Sequence, residues 1–131
     1  MKILCVDDDM DVLKSLKRLL YLTGYETVTA LSAKEALGIF SEDASISLVF
    51  SDYKMPQENG VALLKVVHQN WPEIGRVLLT GHADNSEVRE AVANKVIQRL
   101  IEKPWKDEEL ISIANRWLGP PSTGTILHLR A

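Results

Sequence analysis

Short apolar runs alternate along this chain with segments in which apolar residues recur every three or four positions. The apolar runs cover residues 2–6, 26–30, 46–51, 76–80 and 98–102, and each has the length of a β-strand. An amphipathic segment follows each run and predicts a helix, the last of which ends near Leu118. Strands separated by helices need crossover connections, which are right-handed and build a parallel sheet with helices on both faces.

The predicted fold class is therefore α/β, a flavodoxin-like (βα)5 doubly wound parallel sheet with strand order 2-1-3-4-5. Local signals predict where its helices begin and end. Gly24 should end the first helix, and Ser32 should cap the second. Either Asp84 or Ser86 should cap the fourth helix, and Asn94 can take the left-handed conformation at its end.

The length and composition fit one domain. The chain has 131 residues, of which 46% are hydrophobic and 25% charged, enough to bury roughly two-thirds of the unfolded surface. We assign residues 1–118 to this domain. The composition then changes to Gly119-Pro120-Pro121-Ser122-Thr123-Gly124, so residues 119–131 are predicted to form a linker or C-terminal tail, either docked as an extra strand or mobile.

The charge distribution excludes two classes of partner. The net charge is −3 and the basic residues form no dense run, so direct binding to nucleic acid or to an anionic membrane is not expected. No apolar stretch has the length of a membrane span, and no signal peptide is recognisable. Cys5, the sole cysteine, lies in an apolar run, which predicts a core residue and a cytoplasmic protein.

Acidic residues follow two of the predicted strands where those strands end. Asp7, Asp8 and Asp9 come directly after the first run, and Asp52 follows the third. In a parallel sheet these ends share one edge, where open α/β proteins bind ligands. Two carboxylates about 5 Å apart repel by roughly 3 kcal/mol at an effective dielectric of about 20, so this edge should bind protons or a hard cation such as Mg²⁺. Asp9 is expected to stabilise the start of the first helix instead.

Two further strand ends carry groups that suit a phosphoryl group. Thr80 ends the fourth run with Gly81 next to it, and Lys103 follows the fifth run. A hydroxyl, a backbone N–H and an ammonium group can hydrogen-bond phosphoryl oxygens. A carboxylate can accept the phosphoryl group, and Mg²⁺ neutralises its negative charge. The set predicts an aspartyl-phosphate site with Asp52 as the nucleophile.

These motifs together resemble the receiver domain of bacterial response regulators, over residues 2 to about 118. The resemblance rests on four segments, Val6-Asp7-Asp8-Asp9, Ser51-Asp52-Tyr53-Lys54-Met55-Pro56 with Gly60, Leu79-Thr80-Gly81, and Glu102-Lys103-Pro104-Trp105. It implies a signalling switch rather than a turnover enzyme. Such a switch takes a phosphoryl group from the phosphohistidine of a sensor histidine kinase and catalyses only its own phosphotransfer and dephosphorylation.

The resemblance also implies residue roles. Mg²⁺, or Mn²⁺ in its place, would be held by three carboxylates and one backbone carbonyl, those of Asp7 (directly or through water), Asp8, Asp52 and Lys54. The phosphoryl group on Asp52 would be contacted by Thr80, Gly81 and Lys103. The peptide between Lys103 and Pro104 would be cis.

Regulation is implied at other positions. Lys54 and His82 stand two positions after Asp52 and Thr80, where receiver side chains overhang the site and modulate the lifetime of the phosphoryl group. Leu100 stands where receivers often carry an aromatic residue, so the usual threonine–aromatic coupling would give way to backbone movement or packing of Leu100. The implied output face comprises the fourth helix, fifth strand and fifth helix, with Val88, Ala91, Val92, Leu100 and residues 106–110.

Several alternatives stay open from the sequence. The output is a cyclic-dinucleotide phosphodiesterase domain, a transcriptional domain or a separate downstream protein, and the chain acts alone or as a homodimer. A flavodoxin-like cofactor binder is a rival, although Asp7 to Asp9 stand where a phosphate would need N–H groups. An aspartate-nucleophile phosphohydrolase is another, although Lys54 cannot serve as its carboxylic acid. A degenerate receiver that works by protein contact alone is the third.

Overall fold

The computed structural model of the protein describes residues 1–81 and 85–120, in which strands and helices alternate. The elements in chain order are β1 Lys2–Val6, α1 Met10–Thr23, β2 Glu26–Ala30, α2 Ala33–Glu42, β3 Ile46–Asp52, α3 Gly60–Asn70, β4 Gly75–Thr80, α4 Ser86–Ala93, β5 Arg99–Glu102 and α5 Asp107–Leu118. The strands form one parallel sheet of order β2-β1-β3-β4-β5. The predicted fold class and strand order are confirmed.

Each face of the sheet carries its own apolar core, because successive residues of a strand point to opposite faces. On one face, Leu4 and Leu78 pack with residues of α2, α3 and α4 such as Phe40. On the other face, Cys5 and Phe50 pack with α1 and α5. The central strand β3 is almost entirely buried, as a strand covered on both faces should be. Cys5 is the core residue that the sequence predicts.

Two helix boundaries confirm the sequence predictions. Gly24 ends α1 in the left-handed conformation with φ 106°, and its N–H donates to the carbonyls of Leu20 and Tyr21. The hydroxyl of Ser32 caps α2 by accepting from the backbone N–H of Glu35 at 3.1 Å. These ends fix where the chain turns back towards the next strand.

The boundaries of α4 differ from the prediction. Ser86 is the first residue inside the helix, so the prediction that it caps α4 is wrong, and Asp84 lies outside the described residues. Asn85 is the cap, because its amide oxygen accepts from the N–H groups of two residues in the first turn. At the other end Asn94 has φ −88°, and Lys95 takes the left-handed conformation with φ 62°. The chain therefore reverses one residue later than expected.

The far end of the chain is described only as far as Pro120. The carbonyl of Gly119 accepts a hydrogen bond from the hydroxyl of Tyr25 at 2.9 Å, which ties the end of α5 to the start of β2. Residues 121–131, the greater part of the predicted tail, lie outside the described residues, so the linker assignment stays a prediction. Among the helices in the described part, none combines the length and apolarity that a bilayer span requires.

Candidate functional site

The sheet brings the predicted site residues to one edge. Strand β3 ends at Asp52 and β4 ends at Thr80. The backbone hydrogen bonds between β4 and its two neighbours continue to the residue that follows each neighbouring strand. The N–H of Tyr53 donates to the carbonyl of Leu79 at 3.1 Å, and the N–H of Lys103 donates to the carbonyl of Thr80 at 2.9 Å. The residues that leave these strands therefore start from fixed backbone positions at the carboxyl edge of the sheet.

Carboxylates from the loop after β1 and from the end of β3 form an acidic cluster at this edge. Oxygen atoms of Asp7, Asp8 and Asp52 all lie within 4.8 Å of one another. Asp7 is 1% exposed and Asp52 8% exposed, whereas Asp8 is open to solvent. Asp9 points elsewhere: its carboxylate caps α1 by accepting from the N–H of Asp11 at 2.9 Å. Asp9 thus serves the start of the helix, as the sequence indicates.

Lys103 supplies the positive charge next to these acids. Its Nζ donates to Oδ1 of Asp52 at 2.7 Å and to Oδ2 of Asp7 at 3.3 Å. The peptide between Lys103 and Pro104 is cis, as predicted. One ammonium group therefore bridges the loop after β1 and the end of β3.

Burial, hydrogen bonds and neighbouring charges together shift the pKa values of Asp7 and Lys103. Burial raises the pKa of Asp7, and the neighbouring negative charge of Asp52 raises it further, against opposing effects from the N–H of Asp9 and from Lys103. Burial lowers the pKa of Lys103, but its hydrogen bonds and charge interactions with Asp52 and Asp7 outweigh this effect and raise the pKa overall. The ammonium group is therefore held in its charged form, while Asp7 resists ionisation.

The donor atoms fit a hard divalent cation. The cluster offers only oxygen ligands, and Mg²⁺ is bound in proteins by one or two carboxylates together with other oxygen donors. Asp8 and Lys54 both line an open cleft of about 460 Å³ beside the cluster. Burial is the main cause of the raised pKa of Asp7, and a cation bound there would relieve the smaller contribution from the charge of Asp52.

Two glycines near the site have different roles. A Cβ on Gly60 would lie 2.1 Å from the carbonyl oxygen of Asp52 and 2.8 Å from a methyl carbon of Leu78, so only glycine allows α3 to start this close to β3. The N–H of Gly60 donates to the carbonyl of Tyr53 at 2.8 Å. Gly81, by contrast, is exposed, and a Cβ there would meet nothing within 4 Å. Packing within the protein therefore does not require a glycine at position 81, and the contact of Gly81 with a phosphoryl group stays a prediction.

The structure changes the predicted output face. Val88 is 0% exposed and Ala91 2% exposed because they form the side of α4 that packs on the sheet, and Leu110 is likewise buried. The prediction that these three lie on an accessible face is wrong. Val92 is 42% exposed, and Leu100 is partly buried against the same core as α4. His82 lies outside the described residues.

Sequence reasoning missed a hydrogen-bonded group beside the site, which we call the Tyr53 network: Tyr53, Asn59, Asn85 and Glu87. The hydroxyl of Tyr53 donates to Oε1 of Glu87 at 2.6 Å, and the amide of Asn59 donates to the same oxygen at 3.2 Å. The amide of Asn85 donates to the Tyr53 hydroxyl at 3.1 Å. Asn59 and Asn85 directly precede helices, and an asparagine at that position is a capping signal that the sequence does contain.

Comparison with known proteins adds a family assignment. A family model of the response regulator receiver domain matches residues 3–115. The chain is 33% identical over 109 residues to the hydrogenase transcriptional regulatory protein HoxA of Cupriavidus necator, covering 83% of this chain and 22% of that protein. It is 33% identical over 112 residues to the transcriptional regulatory protein CpxR of Escherichia coli, covering 85% of this chain and 46% of that protein. The chain thus spans less than half the length of either relative.

Solved structures show the same relation in three dimensions. The signal receiver domain of an HD domain-containing protein from Pseudomonas fluorescens superposes with a TM-score of 0.83 at 34% identity, covering 89% of this chain and 93% of that chain. A CheY-like receiver domain protein from Methanospirillum hungatei gives a TM-score of 0.82 at 30% identity, covering 88% and 90%. Both structures therefore share this fold over nearly nine-tenths of the chain.

Proposed function

Because the chain belongs to the receiver-domain family of two-component response regulators, we propose that it switches state when Asp52 accepts a phosphoryl group. The observation that carries this proposal is the position of the Asp52 carboxylate. It lies at the carboxyl edge of the sheet, beside two further carboxylates and 2.7 Å from the Lys103 ammonium group. A nucleophile, a cation site and a positive charge for phosphoryl oxygens therefore share one pocket.

In the proposed transfer, a carboxylate oxygen of Asp52 attacks the phosphorus atom of a phosphohistidine. The new O–P bond forms as the N–P bond breaks, and the histidine nitrogen leaves with the bonding electrons. The Lys103 ammonium group then hydrogen-bonds a phosphoryl oxygen in place of Oδ1 of Asp52. The hydroxyl of Thr80 donates a hydrogen bond to another phosphoryl oxygen, and the backbone N–H of Gly81 donates a further one. Later hydrolysis of the acyl phosphate returns the carboxylate.

The cation proposal uses the same pocket. Asp7, Asp8, Asp52 and the carbonyl of Lys54 would hold Mg²⁺, and Mn²⁺ suits the same oxygen donors. Bound there, the cation supplies positive charge against the phosphoryl oxygens and lowers the repulsion between the carboxylates. The acids would hold the cation from the loop after β1 and from the end of β3, so that the pocket is organised before a phosphodonor arrives.

Modulating roles and partners belong to the same proposal. Lys54 and His82 would alter the access of water to the acyl phosphate, and Leu100 would transmit the change through its packing against the core shared with α4. The phosphodonor would be the phosphohistidine of a sensor histidine kinase, and the protein would be cytoplasmic. The domain would comprise residues 1–118, followed by a linker or tail.

The output is proposed from the relatives. Two of them are named transcriptional regulatory proteins, and one structural neighbour is the receiver of an HD domain-containing protein. A transcriptional domain, a cyclic-dinucleotide phosphodiesterase domain or a separate downstream protein would read the switch, with the receiver acting alone or as a homodimer. The chain itself would catalyse only its own phosphotransfer and dephosphorylation.

Phosphoramidate with Mg²⁺ tests the proposal directly. We expect one phosphoryl group to be added, measured by intact mass, and we expect Asp52→Asn to prevent it. Asp43→Asn is the matched control, because Asp43 is a carboxylate in the loop before β3 and lies outside the acidic cluster. EDTA should stop labelling while circular dichroism shows an intact fold. Unchanged labelling of Asp52→Asn would refute the nucleophile, and labelling that persists in EDTA would refute the cation role.

A further inference from the structure

The Tyr53 network connects the candidate site to α4 through contacts that do not involve Thr80. Its centre is one carboxylate oxygen, Oε1 of Glu87, which accepts from the Tyr53 hydroxyl at 2.6 Å and from the Asn59 amide at 3.2 Å. A carboxylate that accepts two hydrogen bonds is a strong anchor, because bonds to a charged group are stronger than neutral ones. Glu87 lies in the first turn of α4, so the anchor acts on the start of that helix.

The same network includes the caps of two helices. The amide oxygen of Asn59 accepts from the N–H of Ala62 at 2.9 Å and caps α3. The amide oxygen of Asn85 accepts from the N–H groups of Glu87 at 2.8 Å and Val88 at 3.3 Å and caps α4. Capping uses the oxygens, which leaves both amide NH₂ groups for the network. The first turns of α3 and α4 are therefore tied to each other through the side chains of Tyr53 and Glu87.

Tyr53 is also fixed to the site by its backbone. It follows Asp52 directly, its N–H donates to the carbonyl of Leu79, and its carbonyl accepts from the N–H of Gly60. The residue is only 8% exposed, and it lines the cleft beside Asp8. A movement of the backbone at Asp52 must therefore move the Tyr53 ring and its hydroxyl.

Helix α4 is the element on which such an anchor has the largest effect. It has 8 residues, and a helix this short has little stability of its own in water, so its first turn depends on caps and tertiary contacts. Its buried side, which includes Val88 and Ala91, holds the helix on the sheet. Within the N-terminal turn, the buried side chain of Val88 is assisted by the Asn85 cap and by the contacts of Glu87.

We propose that Tyr53 is a positioning residue that couples the filling of the acidic pocket to the order of the first turn of α4, through its hydroxyl and Glu87. The coupling rests on the proposed function, because it requires that the phosphoryl group and the cation bind in the acidic pocket. The coupling is reciprocal. If a ligand in the pocket orders the first turn of α4, ordering of that turn raises the affinity for the ligand by the same factor. Glu87 thereby acts on the site without touching it.

Amide hydrogen exchange of residues 87–92, measured by NMR, tests this coupling. Tyr53→Phe removes the hydroxyl and keeps the ring. The matched control is Tyr25→Phe, because Tyr25 is a 6% exposed tyrosine whose hydroxyl also makes two hydrogen-bond contacts, with the Asn115 side chain and with the Gly119 carbonyl, on the opposite face of the sheet from α4. Without ligand, Tyr53→Phe should speed exchange in the first turn of α4 by about tenfold, and Tyr25→Phe should leave it unchanged. Glu87→Gln, which keeps an acceptor oxygen, should have a smaller effect than Glu87→Ala.

The decisive comparison adds Mg²⁺ and beryllofluoride, a mimic of an acyl phosphate. In the wild-type protein, exchange at residues 87–92 should change when the ligand binds, and Tyr53→Phe should remove most of that change while the amides of Asp7 and Asp52 still respond. If Tyr53→Phe alters only the ligand-free rates and keeps the full ligand-dependent change, Tyr53 is merely structural and the coupling is refuted. If the wild-type pocket amides do not respond at all, the proposed function fails and the coupling with it.

Discussion

Replacement of Gly60 by alanine is expected to disturb both stability and phosphorylation, because Gly60 marks the closest approach of α3 to the site. The added Cβ would lie 2.1 Å from the carbonyl oxygen of Asp52 and 2.8 Å from Leu78. Ordinary contact would require the start of α3 and the end of β3 to separate by roughly 1 Å. Overpacking of this kind costs about 1–3 kcal/mol, and a shift of about 1 Å in a reacting group lowers a rate by about a hundredfold.

The matched control is Gly38→Ala in α2. A Cβ at Gly38 would meet nothing within 4 Å, and the residue is exposed inside a helix. This variant should gain about 0.5–1 kcal/mol, because alanine loses less backbone entropy than glycine on folding. Urea unfolding gives both stabilities, and the initial rate of labelling by phosphoramidate gives the effect on the site. A Gly60→Ala variant that is as stable as the wild type and is labelled at the same rate would refute the steric argument.

Three further predictions follow from other contacts. Arg76 is 2% exposed and donates to the carbonyls of Pro72, Ile74, Lys95 and Val96, so Arg76→Leu should lower the free energy of unfolding by about 3 kcal/mol in urea titrations, and an unchanged value would contradict this clamp. Hydrogen bonds from Ser45 and Lys2 lower the pKa of Asp43 from 3.8 to about 2, so its ionised form contributes stability above pH 3.8 that is lost as the pH falls towards 2. The stability difference between wild type and Asp43→Asn should shrink over that interval, and a constant difference would argue against the ion pair. Mg²⁺ at about a hundred times its dissociation constant should stabilise the wild type by about 2.7 kcal/mol, while Asp8→Asn should lose most of this gain in thermal unfolding, and an equal gain would exclude Asp8 as a ligand.

The strands were predictable because their signal is local and periodic. The predicted runs agree with the observed strands to within one residue. The differences lie at the ends, where β3 reaches Asp52, β4 begins at Gly75 and β5 begins at Arg99. The cluster at the sheet edge was also predictable, because parallel topology brings the carboxyl ends of the strands together without any knowledge of side-chain packing. The roles of those residues in catalysis stay predictions that the experiments above address.

Contacts between distant residues were not predictable in the same way. The hydrogen bond from Tyr53 to Glu87 joins residues 34 positions apart, and no periodicity marks either member. In the sequence, Arg76 is a charged residue at the start of a predicted strand, which gives no indication of burial. In the structure its guanidinium group is buried because it donates to four backbone carbonyls. The resemblance to receiver domains places Val88 and Ala91 on the output face, but it does not indicate that these two side chains form the side of α4 that packs on the sheet.

The position of the charges within the fold restricts which parts of the molecule can respond to them. The acidic cluster lies at the ends of β1 and β3, whose preceding residues are completely buried, with Cys5 and Phe50 on one face of the sheet and Leu4 and Val49 on the other. Close-packed interiors resist small displacements, so a change of charge at the cluster is accommodated by the loops that follow the strands rather than by the sheet. The loop after β3 carries Tyr53, and Tyr53 holds the first turn of the 8-residue helix α4. A charge change at Asp52 therefore acts most strongly on the helix with the least stability of its own, while the rest of the fold keeps its packing.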